Sequence, residues 1–257
     1  MKTLLILFLS AACLLISEGT KVKIIHGNEA IPHSRPYMAL LIFETETEEM
    51  ICGGSLIKPN WILTAGHCQK PRSLVTVLLG AHSREGREKG IQALRIAKSI
   101  QHPQYNHSNL KNDLRLIKLR GNARLGKNIQ LLPLPEISED IEAGSVCETA
   151  GWGVTEKKIE ADYLREVNIT ILNRDKCQKR WQHRVNITQN LLCTSVGPNG
   201  QDSCTGDSGG PLICNGVYRG VTSFGENVCG QANDASIFTR LTKEYISWIN
   251  STIAKSV

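Results

Sequence analysis

Gly206-Asp207-Ser208-Gly209-Gly210-Pro211 sets a serine among glycines, where the chain can turn sharply and present a hydroxyl beside bare backbone N–H groups. Such N–H groups can form an oxyanion hole for the charge of a tetrahedral intermediate. The same hexapeptide can equally be a plain Gly-rich turn, because short motifs match by chance. What separates the two is the rest of the chain: a serine hydroxyl is a weak nucleophile until an imidazole removes its proton, and the imidazole needs a carboxylate to orient it.

Chain order narrows the candidates. His26, His33, His67, His82, His102, His107 and His183 all precede Ser208, so an order of Ser, then acid, then His cannot be met. An order of Asp, His, Ser leaves only His183, because the first aspartate is Asp113, and His183 sits in a basic, turn-like context that suits a base poorly. The order His, Asp, Ser has natural members in Thr64-Ala65-Gly66-His67-Cys68 and Asn112-Asp113-Leu114-Arg115-Leu116. A cysteine beside His67 can pin its backbone. Apolar neighbours at alternate positions carry Asp113 inward, where a buried charge orients an imidazole strongly. His102 and His107 have no third ligand nearby and read as loop histidines, so no metal and no cofactor is expected.

These side chains lie far apart in the chain, so a folded framework must bring them together. Short β-branched and aliphatic runs at 39–43, 61–64, 74–79, 114–119, 167–172 and 216–223 recur between Gly, Pro and Asn punctuation, the cadence of an antiparallel sandwich or barrel. Near the end, Ile246, Ile249 and Ile253 repeat at helical spacing after Thr242, a good N-cap with Glu244 in the first turn. Asn173 can cap a second short helix over 173–180.

With 257 residues, 41% hydrophobic and 21% charged, the chain can bury a large core, and its composition excludes disorder as its main content. Residues 1–19 read as a signal peptide: Lys2 starts it, an apolar run from Leu4 to Ile16 follows, and Ser17 and Gly19 are small residues near a cut. That run falls short of the roughly 20 residues that span a bilayer. Cys13 leaves with it, so eight of nine cysteines remain, an even set that reads as four disulfides in an exported protein. Composition leaves their pairing open. The net charge of +6 favours polyanions, with nucleic acid a weak candidate among them. Asn106, Asn168, Asn186 and Asn250 each begin a glycosylation sequon, with Asn168 the favoured site.

On these motifs, together with residues 24–28, 32–38, 151–153, 164–170 and 202–211, the sequence resembles the trypsin-like serine proteases, and within them the granzymes. The resemblance implies an all-β fold of two antiparallel six-stranded Greek-key β-barrels with a C-terminal α-helix. It implies a signal peptide over 1–19, an activation propeptide over 20–23 and a peptidase domain over 24–254. The first barrel would occupy about 24–135, the second about 136–241 and the helix about 242–254. Ser208 becomes the nucleophile, His67 the base and then acid, Asp113 the orienting group, and the N–H groups of Gly206 and Ser208 the oxyanion hole. The implied disulfides are Cys52–Cys68, Cys147–Cys214, Cys177–Cys193 and Cys204–Cys229. Cleavage after Lys23 would free the ammonium of Ile24 to pair with Asp207, making the chain a zymogen. Asp202 matches the acidic floor of a pocket for Lys or Arg, with Ser203, Ser223, Gly225 and Ser236 as further substrate-binding positions. Secretion or storage in cytotoxic granules follows, with protein substrates, sulfated proteoglycans and serpin-type inhibitors as partners. The alternative is a protease-fold binding protein with little or no catalysis.

Four departures from the pattern stand out. Ser236 replaces a pocket-wall glycine, adding volume and a hydroxyl, which predicts reduced activity and a shifted preference between Lys and Arg. His26 replaces a glycine. Gly66 replaces the alanine before the catalytic histidine, which predicts a slightly looser loop. Gln104 stands where some relatives carry an inter-chain cysteine, so no covalent dimer is expected. A basic segment around Trp181, comprising Arg174, Lys176, Lys179, Arg180 and Arg184, reads either as a solvated helix face or as a contact for sulfated glycans.

Overall fold

A computed structural model of the chain describes residues 26–71, 73–155, 158–182, 184–225, 229–231 and 234–256. The signal peptide, the propeptide, Lys23, Ile24 and His183 lie outside the described residues.

After a two-residue β1 (Asn28–Glu29), the chain forms β2 (Met38–Glu44), β3 (Glu49–Lys58), β4 (Trp61–Thr64), β5 (Leu74–Leu79), β6 (Gln92–Gln101) and β7 (Arg115–Leu119). These six close into a barrel in the order β2-β3-β4-β7-β6-β5. The second half holds β8 (Val146–Gly151), β9 (Arg165–Leu172), α1 (Arg174–Trp181), β10 (Leu191–Ser195), β11 (Pro211–Cys214), β12 (Val217–Phe224), β13 (Ala235–Arg240) and α2 (Lys243–Ala254). Here the order β9-β10-β13-β12-β11-β8 closes through a β8–β9 pairing, and β1 adds to the start of β9. Two closed six-stranded antiparallel barrels result, and neither leaves a long edge to pair with other chains.

Alternation explains the clearest strands. In β9, Val167, Ile169 and Ile171 are buried while Asn168 faces out, the period-two pattern of a sheet with one wet face. β3 and β6 carry weaker sequence signals: β3 contains Gly53-Gly54, and β6 exposes Arg95, Lys98 and Ser99. Both are fixed by neighbours, since β3 lies between β2 and β4 and β6 between β5 and β7.

Thr242 caps α2, its hydroxyl accepting from Tyr245 N–H. The helix buries Tyr245 and Ile249 against the core of the first barrel, with Ile253 beside them. Tyr245, one position before the expected Ile246, leads that face. Asn173 caps α1, accepting from Asp175 N–H and Lys176 N–H. No helix among the described residues is long and apolar enough to cross a membrane.

Candidate active site

Both barrels send loops to one seam. β4 ends at Thr64 and the chain turns through Ala65-Gly66-His67-Cys68, tied back to β3 by the Cys52–Cys68 disulfide. Asp113 precedes β7, whose register sets Arg115 opposite Thr64 and so brings the two loops side by side. Ser208 arrives from the second barrel, just before β11, and its carbonyl accepts from Gly53 N–H of β3 at 2.8 Å.

Asp113 is fully buried, and both its oxygens are engaged. Oδ1 accepts from the His67 backbone N–H at 2.8 Å, while Oδ2 pairs with His67 Nδ1 at 2.8 Å and accepts from the Ser223 hydroxyl. An ionised carboxylate can only accept, so Nδ1 holds the proton and Nε2 is left as the base. Ser208 Oγ makes no hydrogen bond among the described residues; in empty sites this contact is commonly loose and tightens with substrate. Gly206 takes φ +94°, which glycine adopts without a steric penalty. Neither its N–H nor that of Ser208 meets an acceptor among the described residues, the state an oxyanion hole requires.

Asp207 is 1% exposed and accepts from Gly153 N–H at 2.8 Å and Cys204 N–H at 2.9 Å, with no cation beside it among the described residues. Burial pushes its carboxyl up from 3.8 to about 7, the two N–H bonds resisting. The folded uncut chain therefore holds this proton where the unfolded chain releases it. That contribution to stability is complete below pH 3.8 and is lost as the pH rises through about 7. Melting the uncut chain beside its Asp207→Asn variant checks the sign. The parent's Tm is expected to fall relative to the variant across that window, and a flat difference would contradict it.

The cavity beside the triad has a volume of about 300 Å³ and is lined by His67, Ser208, Ser203, Ser223, Gly225 and Ser236, among others. Ser236 lines it, whereas Asp202, expected from the resemblance as its acidic floor, is not among the lining residues and lies 3% exposed behind the Ser236 hydroxyl. The Ser236 hydroxyl donates to Asp202 Oδ1 at 2.6 Å, and Ser203 N–H donates to the same oxygen at 2.9 Å. Gly230 N–H reaches Oδ2 at 3.2 Å. Burial raises the Asp202 carboxyl above the usual carboxylate range, and these donors, Ser236 first, pull it back. Across the slot, a Cβ placed on Gly225 would stand 3.4 Å from Ser236 Oγ, so a larger residue there would narrow it further.

Two closed antiparallel barrels with a buried aspartate paired to a half-exposed histidine beside a serine at their seam define a serine protease of the trypsin type. The trypsin family model matches residues 24–249, and the chain belongs to that family. Granzyme A of Bos taurus is 39% identical, over 97% of this chain and 97% of its own. Duodenase-1 of Bos taurus is 37% identical, over 98% of this chain and 97% of its own. The solved structure of neuropsin, a serine protease expressed in the limbic system of mouse brain, has a TM-score of 0.79 at 34% identity and covers 90% of this chain and 100% of that one.

The remaining positions also have places in the fold. Cys52–Cys68, Cys147–Cys214, Cys177–Cys193 and Cys204–Cys229 are all bonded as the resemblance implies, and the last ties together two walls of the cavity. Ser223 does more than line the cavity, since it also holds Asp113. Asn106, Asn168, Asn186 and Asn250 are exposed. His26, where the pattern has glycine, takes φ +51°, a left-handed conformation that costs a residue with a side chain. Leu110 and Phe224 line the cavity without having been singled out from sequence, because only their neighbours in space mark them.

Proposed function

We propose that this chain is the zymogen of a serine endopeptidase that, once cut after Lys23, cleaves proteins after Lys or Arg. The observation that carries the reading is the His67–Asp113 pair, which fixes the tautomer beside Ser208 at the mouth of a cavity backed by Asp202. Ser208 Oγ attacks the scissile carbonyl carbon as its proton passes to His67 Nε2. The oxygen gains negative charge that Gly206 N–H and Ser208 N–H receive. His67 then gives the proton to the leaving amine as the C–N bond breaks, leaving an ester on Ser208 that water hydrolyses by the same proton route. The new ammonium of Ile24 pairs with Asp207, replacing a proton on a buried carboxyl with a fixed cation. Granule storage or secretion accords with the signal-like start of the chain.

Peptides varied at the residue before the scissile bond test the pocket. Processed enzyme is expected to cut after Lys and Arg, and best cleavage after neutral or acidic residues would overturn the assignment. Because Ser236 occupies one oxygen of Asp202, a guanidinium cannot grip both freely. Ser236→Gly is expected to raise the Arg-to-Lys ratio of kcat/KM by about tenfold through the bidentate contact it restores. An active protein labelled at Ser208 by a serine-directed acylating inhibitor excludes the non-catalytic alternative. No turnover and no labelling would favour it.

A second reading concerns polyanions, and a surface other than the segment near Trp181 supports it. In the basic segment near Trp181, Arg174 pairs with Asp140, Arg180 donates to the Asp234 carbonyl at 2.8 Å and Arg184 lies 4.8 Å over the Trp181 ring. On the outer face of the first barrel, by contrast, register sets Lys98 opposite Lys118, and Arg120 N–H donates to the Arg95 carbonyl at 2.9 Å. Lys58, Arg95, Lys98, Arg120 and Arg124 are exposed there and meet no carboxylate among the described residues. The Lys118 ammonium is engaged by the Ser256 carbonyl and lies 5.8 Å from the centre of the Trp61 ring, so the exposed cations around it are the ones an external polyanion would meet. A sulfated polysaccharide is the partner proposed. The protein is expected to stay on immobilised heparin above about 0.15 M salt, where screening acts within about 8 Å. Lys98→Ala with Arg120→Ala should elute earlier; equal elution of the pair and the parent, or elution of both at very low salt, would remove this reading.

A further inference from the structure

Arg115 is 4% exposed, and its guanidinium is bonded to no carboxylate among the described residues. Nε and Nη2 both donate to the Gly66 carbonyl, at 3.2 and 2.9 Å. Nη1 donates to Ser99 Oγ at 2.8 Å, and Nη2 also to Gln69 Oε1. Gln101 Nε2 adds one more N–H to the same Gly66 carbonyl at 2.9 Å. The register produces this convergence: Arg115 lies opposite Thr64 on β4 and opposite Gln101 on β6.

The Gly66 carbonyl and the His67 N–H belong to one planar peptide unit. Its N–H side donates to Asp113 Oδ1 at 2.8 Å, and its carbonyl side takes the three donors just named. The plane from which the imidazole hangs is thus gripped at both edges. Gly66 gives it no steric help, since glycine leaves the backbone unusually free. The room a methyl group would need is taken: a Cβ on Gly66 would lie 2.9 Å from both Asp113 Oδ1 and the Tyr105 ring. Burying an arginine whose hydrogen bonds all go to neutral acceptors is costly, and desolvation lowers its pKa although the charge of nearby Asp113 opposes this, so the site is not explained by simple packing.

We propose that Arg115 is a positioning residue for His67, holding the Gly66–His67 peptide plane so that the imidazole keeps its bond to Asp113. Glycine at 66 and arginine at 115 act together: one lets the carboxylate close in, the other restores the rigidity so lost. The proposal rests on His67 as the base, but one of its readouts does not need turnover.

The test compares processed parent, Arg115→Met and Arg115→Lys, each normalised by active-site titration. Arg115→Met is expected to lower kcat by about tenfold with KM unchanged, the usual scale of a lost hydrogen bond from a charged donor. The low-field proton resonance of His67 Nδ1–H should move or broaden in the same variant. Arg115→Lys, with one point donor in place of a fork, should recover part of kcat and part of the resonance. Parental kcat and an unmoved resonance in folded Arg115→Met overturn the proposal, whether or not its Tm falls. Should that variant not fold, parental kcat and resonance in Arg115→Lys overturn it equally. Loss of the resonance in the parent itself would instead strike at His67 as the base.

Discussion

Processed Ser208→Ala is expected to lose about 10⁶-fold in kcat while still binding substrate, because nucleophile, base and orienting acid act as one unit and removing the nucleophile disables all three. The residue left behind still has the oxyanion donors and the pocket, so turnover should stay above the uncatalysed rate by about 10³–10⁴. Stopped assays on a Lys-ester substrate, with enzyme in large excess, would read so slow a rate. The prediction is sharp since the side chain removed is small and half-exposed: its hydroxyl holds no other part of the fold. A variant within tenfold of its parent would mean that another group attacks the carbonyl.

Asp202→Ser carries the second large effect. A pocket built around a buried carboxylate rejects side chains that leave it unpaired, by about 10⁴ in favourable cases. Taking the carboxylate away should cut kcat/KM for Lys and Arg substrates by that order and change neutral ones little. Asp202 accepts from Ser236, Ser203 and Gly230, so its loss also leaves buried donors short of an acceptor and some Tm should be lost with it; the Lys-to-Leu ratio, taken on folded enzyme, isolates recognition. Competition between a Lys and a Leu peptide in one tube measures the ratio directly. An unchanged ratio would place the selecting charge elsewhere.

Much of this site was legible in one dimension. Chain order among histidines, aspartates and the Gly-flanked serine left few pairings open, since only one order offers both an imidazole and an inward-facing carboxylate. The caps at Thr242 and Asn173 were legible for a local reason: a cap bonds N–H groups two or three residues away. β3 and β6 were not, because a diglycine and a run of exposed cations become strand only when neighbours supply the ladder.

The basic surface shows the limit most plainly. Sequence proximity gathers charge around Trp181, where ring contact and Asp140 engage much of it, whereas Lys98 and Lys118 are twenty positions apart and stand directly opposite. Residue types and their short-range periods by themselves determined the candidate reacting groups, the strand cadence, the helix starts and an even set of eight cysteines beyond the apolar start of the chain. The tertiary structure alone decided that the Ser236 hydroxyl takes an oxygen of Asp202 and that Arg115 grips the Gly66 carbonyl. The physical reason is range: propensity and capping act within a turn or two of chain, while register and barrel closure join residues that the chain itself keeps far apart.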